Sequence, residues 1–508
     1  MFAESALTTT SANELSSLMK RGEISPVEIL SSCMARIGRL NPAVNAITAT
    51  CYERARAEAR EAEHQLRRGD PVGPLHGLPI GIKDLQETKD LLTTYGSPRF
   101  RDHVPTADHP LVASLRRAGA IVVGKTNVPE MGAGGNTRNP VWGATGNPFN
   151  PMLNAGGSSG GSAAALALDM LPLCTGSDTG GSLRIPAALC GVVGFRPSPD
   201  LVPHATRPLG WSSISLLGPM ARNVGDLCLL LRAMIGCDSR DPLSGKNDPA
   251  IFDTSVPPDL GALRVGYTED FGVCAVDSDI RKVFRQRIEA IAPLFGDCRP
   301  LDFDLSEADR CFDVIRAESF VAAFHDDYTR NPALLAPDVR ANYEIGSSMT
   351  LANRAWAHAE QTRLFRSFQQ TIADVDVVLA PVSPVTPFGW QQPYADRIDG
   401  MMLSPYYRWL ALTYVVTLAN NPVLSMPCGV DHAGMPFGIQ VIGKFRGDAQ
   451  LLQAAHAIEQ AFESIPTACR PKPDLTRLSN PTPELKSIVT APPGSSDGHS
   501  ASSASVPV

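Results

Sequence analysis

The chain is 508 residues long, room for one large α/β unit or for up to about three smaller domains. With 45 Lys and Arg against 52 Asp and Glu it carries a formal charge of −7. It lacks the basic excess that a phosphate backbone requires, so nucleic acid is not expected as a ligand. Hydrophobic residues at 43% and charged residues at 19% exclude wholesale disorder and a collagen-like chain, and 42 Gly with 43 Pro point to a core bounded by many loops and sharp turns.

The first residues have neither a basic segment nor an apolar run, and the longest apolar stretches, such as Leu227 to Ile235, are short and interrupted by Arg232. No membrane span is expected, and the location is read as cytoplasmic. Two capping patterns follow, Ser11 with Glu14 and Ser25-Pro26 with Glu28, each announcing a helix. Ile29, Leu30, Cys33, Met34 and Ile37 recur at helical spacing, and Cys51 to Arg68 reads as a more exposed helix. Residues 1–70 are thus helices packing on a core.

After Gly77 the texture changes to short apolar runs bounded by Gly and Pro: Leu78 to Ile82, Ile121 to Gly124, Leu171 to Thr175 and Val192 to Phe195. Helical stretches at Leu111 to Ala118 and Ser162 to Met170 separate them, the alternation of an α/β core with a largely parallel sheet. Residues 71–245 are assigned to that core. Residues 246–374 are more charged and helical, an elaboration suited to setting specificity, and Leu263 to Tyr267 is a strand candidate within them. Val375 to Ala380, Val423 to Pro427 and Gly438 to Ile442 return 375–475 to the core. From 476 to 508 the chain turns to Ser, Pro, Thr and Gly, and disorder is expected.

Eleven scattered cysteines form no CxxC, and the ten histidines form no HExxH, so no metal and no cofactor is expected. Chemistry concentrates in two Gly/Ser loops, Gly156-Gly-Ser158-Ser159-Gly-Gly-Ser162 and Gly176-Ser-Asp178-Thr179-Gly180-Gly181-Ser182-Leu-Arg184. Each leads toward a helix, where backbone N–H groups favour an anion or a developing oxyanion. A P-loop would need Lys where Ser162 stands. Gly156 to Gly160 fits G-x-S-x-G, the elbow of an α/β-hydrolase esterase with Ser158 as nucleophile, but the preceding stretch is broken by Pro148 and Pro151. The third reading joins both loops to Lys83. A lone Lys is usually solvated surface, yet Lys83 ends an apolar run, and desolvation there would lower its pKa toward that of a general base able to activate Ser.

Lys83 and the two loops together resemble the amidase signature family. The likeness continues through Cys190-Gly-Val-Val-Gly-Phe-Arg-Pro, Leu217-Gly-Pro-Met-Ala-Arg222, Asp376-Val-Val-Leu-Ala-Pro and Met435-Pro-Phe-Gly-Ile-Gln-Val-Ile-Gly. It implies a single large α/β domain with a mixed, mostly parallel central sheet surrounded by helices. It also implies a triad of Ser182 as nucleophile, Ser158 held in a cis peptide, and Lys83 as base. By the same resemblance the backbone N–H groups of Thr179, Gly180, Gly181 and Ser182 form an oxyanion hole, with Asp178, Arg184 and Ser159 in support. Met152 to Ala155 lacks the family's usual Arg and Pro, and Arg196-Pro-Ser198 replaces its Lys-Pro-Thr.

The activity implied is hydrolysis of a small aryl or alkyl carboxamide to a carboxylic acid and ammonia or amine through an acyl-Ser182 intermediate. The partner is a small-molecule amide, and homodimers are common in the family. The alternative within the family is the A-type glutaminase component of a tRNA-dependent amidotransferase. Its usual Gln is here Ile185, and its Tyr/Arg-rich stretch is replaced by Leu201 to Trp211. Trp211, Met131, Tyr406 and Tyr407 are candidates for an apolar substrate pocket, with Met401, Met402 and Trp409 nearby in sequence. Ordinary core packing is the competing reading for each.

Overall fold

The apolar runs pair into one sheet that draws on both ends of the sequence. A computed structural model describes residues 4–254 and 257–491. In it the strands β1 (Ile47–Thr50), β2 (Pro79–Lys83), β3 (Ile121–Thr126), β4 (Leu173–Asp178), β5 (Val193–Arg196) and β6 (Leu216–Ala221) come from the first half. The second half adds β7 (Arg264–Tyr267), β8 (Asp297–Pro300), β9 (Val377–Pro381), β10 (Val423–Val430) and β11 (Pro436–Ile442). Their order is β1-β3-β2-β4-β6-β5-β10-β11-β9-β7-β8, an 11-stranded mixed sheet surrounded by helices.

Parallel pairing, which the alternation of strands and helices leads one to expect through most of the sheet, occupies two blocks: β3-β2-β4 and β9-β7-β8. The ladder between them, from β4 through β6, β5, β10 and β11 to β9, is antiparallel, as is the edge pair β1-β3. Expected and observed strands agree to within a few residues except for β1, β6 and β8, which sequence patterning does not pick out. β6 carries Gly218 and Pro219 in its middle, residues that read as breakers, and β8 is a polar edge. Helices Gly160–Ala167, Arg184–Cys190, Val224–Met234 and Asp448–Phe462 pack directly against the strands. β2, β3, β5, β9 and β11 are buried along their whole length, which is why they read as largely apolar runs, and β6 is buried throughout despite its breakers.

The capping patterns start helices where the sequence places them. Ser25 Oγ accepts from Glu28 N at 3.1 Å while Ser25 N donates to Glu28 Oε2 at 2.8 Å, a complete capping box. Ser11 caps through Glu14 N alone, because the Glu14 carboxylate turns to Arg21 instead. The charged segment after residue 246 adds β7 and β8 to one edge of the sheet and then folds helix Ala308–Arg330 against helix Ala411–Leu418.

The tail departs from expectation as far as residue 491. Leu478 and Leu485 are buried, Thr482 N donates to Pro42 O at 3.1 Å, and Thr490 N donates to Pro140 O at 2.9 Å. Two leucines, diluted in composition by Ser and Pro, are enough to tie this stretch down. The remainder of the expected disordered tail, 492–508, and the first three residues lie outside the described residues. No helix among the described residues is long and apolar enough to cross a membrane.

Candidate active site

Lys83 ends β2, with β3 and β4 on either side, so its side chain has no route to water and is fully buried. Its Nζ is met by hydroxyls rather than by a carboxylate: Ser158 Oγ at 2.8 Å, Ser159 Oγ at 2.8 Å and Ser177 Oγ at 2.9 Å. Burial lowers its pKa from 10.5 to about 7, opposed only by the more distant charge of Asp178. At that value a substantial fraction of Nζ is neutral near pH 7 and holds a lone pair that can accept a hydroxyl proton.

Ser158 lies just before helix Gly160–Ala167, and the Gly157–Ser158 peptide is cis. Glycine is required at 161, where a Cβ would stand 2.2 Å from Asn127 N and 2.6 Å from Ala46 O. The second loop is organised by Asp178, the last residue of β4. Its Oδ1 accepts from Gly181 N at 2.9 Å and its Oδ2 from Leu183 N at 3.1 Å, while Arg184 donates to both oxygens at 3.0 and 2.9 Å. Burial alone would raise the Asp178 pKa, but Arg184 and Arg196 beside it hold it well below the usual carboxylate range. Arg184 continues to Thr413 O, Gln440 Oε1 and Thr417 Oγ1, pinning the loop to helix Ala411–Leu418 and to β11. The two loops meet where Ser159 N donates to Ser182 O at 3.2 Å.

Ser158, Ser177, Thr179, Gly180 and Ser182 together floor a cavity of about 420 Å³, a size suited to a small organic ligand. Gly181 is absent from that floor, and its amide donates to Asp178 Oδ1. Three of the four residues whose amides are expected to receive an oxyanion, Thr179, Gly180 and Ser182, therefore line the cavity. A larger cavity of about 800 Å³, lined by Arg36, Asp169, Arg222 and Arg470 among others, contains none of these residues.

The amidase family model matches residues 28–452. The chain belongs to the amidase signature family. It is 34% identical over 467 residues to the A-type component of the glutamyl-tRNA(Gln) amidotransferase of Acaryochloris marina, covering 87% of this chain and 95% of that protein. The same component from Picosynechococcus sp. is 35% identical over 467 residues, covering 86% and 95%. Among solved structures, a bacterial aryl acylamidase of the amidase signature family superposes with a TM-score of 0.83 at 27% identity, covering 90% of this chain and 96% of that one. As a member of this family the protein is an amidohydrolase acting on carbon–nitrogen bonds.

In this amidohydrolase the sequence-named pocket residues divide. Met131 and Tyr406 line the cavity. Tyr407 does not: it is buried in the core, where its hydroxyl donates to Asp313 at 2.9 Å. Trp211 does not either, being 82% exposed, while Arg207, Leu209 and Ser212 of the same loop face inward. Arg207 is held there by Asp241 at 3.0 and 3.1 Å. Met401 and Met402 are exposed on a two-stranded hairpin. The elbow reading of Ser158 also fails, since the strand before it, Asn150–Asn154, belongs to a separate ribbon and not to the central sheet, and Lys83 rather than His bonds Ser158. Among the described residues no group of three His, Cys, Asp or Glu side chains is placed to hold a metal.

Sequence reasoning missed Ser177, which bonds Lys83, and four polar side chains of the cavity wall, His109, His204, Arg207 and Arg316. Ser177 sits inside a quoted motif and could have been flagged. The others come from distant segments that carry no local signal.

Proposed function

We propose that the protein hydrolyses a small carboxamide, aryl or alkyl, to a carboxylic acid and ammonia or amine through an ester with Ser182. The observation that carries this is the buried Lys83 hydrogen-bonded at 2.8 Å to Ser158, directly beneath a cavity that Ser158 and Ser182 share. Neutral Lys83 takes the proton of Ser158 as Ser158 takes that of Ser182, and Ser182 Oγ attacks the carbonyl carbon. The oxyanion rests on the amides of Thr179, Gly180 and Ser182. The intermediate collapses, the C–N bond breaks, and the proton returns through Ser158 to the departing nitrogen. Water then attacks the acyl ester along the same proton path and releases the acid. Ser159, Asp178 and Arg184 hold the two loops in register for these transfers. The cytoplasm is the proposed location.

A second reading is favoured by the sequence relatives, which are A-type components of an amidotransferase. By that reading the protein releases ammonia from glutamine for a partner. The cavity wall bears on the choice: among the described residues it holds Arg207 and Arg316 and no Asp or Glu, so the ammonium of free glutamine would enter without a carboxylate partner there.

Treatment with a fluorophosphonate followed by mass-spectrometric mapping tests the chemistry. The adduct is expected on Ser182, with labelling sharply slower in Lys83→Ala, and turnover by Ser182→Ala is expected to fall by about 10³-fold or more. An adduct on Ser158 would overturn the assignment. Ammonia release from free glutamine exceeding that from carboxamides lacking an amino group would favour the second reading.

A further inference from the structure

Helix Ala308–Arg330 places Phe312, Arg316, Phe320 and Phe324 four residues apart, on one face. Phe312 abuts the second loop, since a Cβ on Gly180 would stand 3.1 Å from Phe312 Cζ, and the other three line the cavity. Four residues of helix rise about 6 Å, so Arg316 sits one turn from the loop that receives the carbonyl.

Arg316 is buried, yet among the described residues no carboxylate lies within 4.0 Å of it. Its Nε donates to Asn342 Oδ1 at 3.0 Å and its Nη2 to Tyr406 Oη at 2.7 Å, leaving Nη1 without a protein acceptor. Tyr406 Oη also accepts from Asn342 Nδ2 at 2.9 Å, so its own proton has no acceptor among the described residues. Two donors thus remain on residues that line the cavity, beside Ser319, Phe320 and Phe324. Asp338 feels the charge of Arg316 but makes no ion pair with it and does not border the cavity. Arg207, the other guanidinium of the wall, already has an anion in Asp241, which accepts from its Nη2, although its buried Nε has no partner among the described residues. A buried guanidinium lacking an anion is costly, and its planar fork suits a carboxylate.

We infer that Arg316 and Tyr406 bind a carboxylate carried by the acyl part of the substrate, so that the substrates are monoamides of short dicarboxylic acids. The inference rests on the acyl-Ser182 reading and names its substrate class.

The test compares kcat/KM for the monoamide of glutaric acid with that for pentanamide, in wild type, Arg316→Gln and Tyr406→Phe. Wild type is expected to prefer the acidic amide by about 10-fold or more, and Arg316→Gln to reduce that ratio by roughly 10- to 100-fold. Tyr406→Phe keeps the ring and is expected to reduce the ratio several-fold. Glutarate should also inhibit the wild-type enzyme more tightly than pentanoate, which reads the same donors with no substitution. Equal or greater preference for pentanamide, with Ser182 still labelled by fluorophosphonate, would overturn this inference alone. Absence of labelling at Ser182 together with no hydrolysis of either amide would overturn the acyl-enzyme reading and this inference with it.

Discussion

Replacing Lys83 by Met removes a base and a buried charge in one step, and the two losses have opposite signs. The drop from 10.5 to about 7 corresponds to on the order of 5 kcal/mol of preference for the neutral amine in the folded protein. Because the folded pKa lies below the unfolded one, the unfolded chain holds a proton between these values that the folded protein lacks. Stability therefore falls as pH drops from 10.5 toward 7, and the full penalty is present below about 7. Activity follows the same titration, since only the neutral amine accepts a proton: kcat/KM of the wild type should fall tenfold per pH unit below about 7. Lys83→Met should lose at least about 10²-fold in kcat/KM. It should also gain unfolding free energy over wild type, by about 3 kcal/mol more at pH 6 than at pH 9. Denaturant titrations at the two pH values, beside a pH–rate profile from 5 to 9, measure both. An acid limb near pH 5 or below, or a stability difference that ignores pH, would refute the reasoning that a desolvated Lys83 is the base.

Three further substitutions probe the scaffold. Asp178→Ala strips the anion from Arg184 and Arg196 and frees the Gly181 and Leu183 amides, so unfolding free energy should drop by roughly 3 to 5 kcal/mol in a denaturant titration. Leu485→Ala, in the docked C-terminal stretch, should cost about 2 to 3 kcal/mol, and an unchanged midpoint would show that stretch to be loosely held. Trp211→Ala should leave kcat/KM within about twofold of wild type, as an 82% exposed ring off the cavity wall requires.

The chemistry was legible because it demands particular residues in unbroken runs. Loops that must pass within contact distance of other backbones need glycine, as at 161, and the hydroxyls beside Lys83 stand in the same two runs. The positions of the strands were legible for a related reason, since a strand buried on both faces is an apolar run. Strand direction was not, because nothing in Leu216 to Ala221 states that it will lie antiparallel between β4 and β5. The cavity wall was the least accessible: Arg316 reaches it from a helix more than a hundred residues after Ser182, while Trp211 looked apolar enough to line it and faces water. Composition also misjudged 476–491, where Leu478 and Leu485 outweigh their polar neighbours.

The residues proposed to move protons and those proposed to bind the acyl group belong to different stretches of chain. Lys83, Ser158 and Ser182 are fixed by β2 and by the loops around β4, whereas Arg316, Phe320 and Phe324 ride on a helix inserted between β8 and β9. On the proposed function, mutations along that helix should change which acyl groups enter while leaving the Lys83–Ser158–Ser182 geometry in place. Such a division gives evolution a free hand with diet while the cutting tool stays the same.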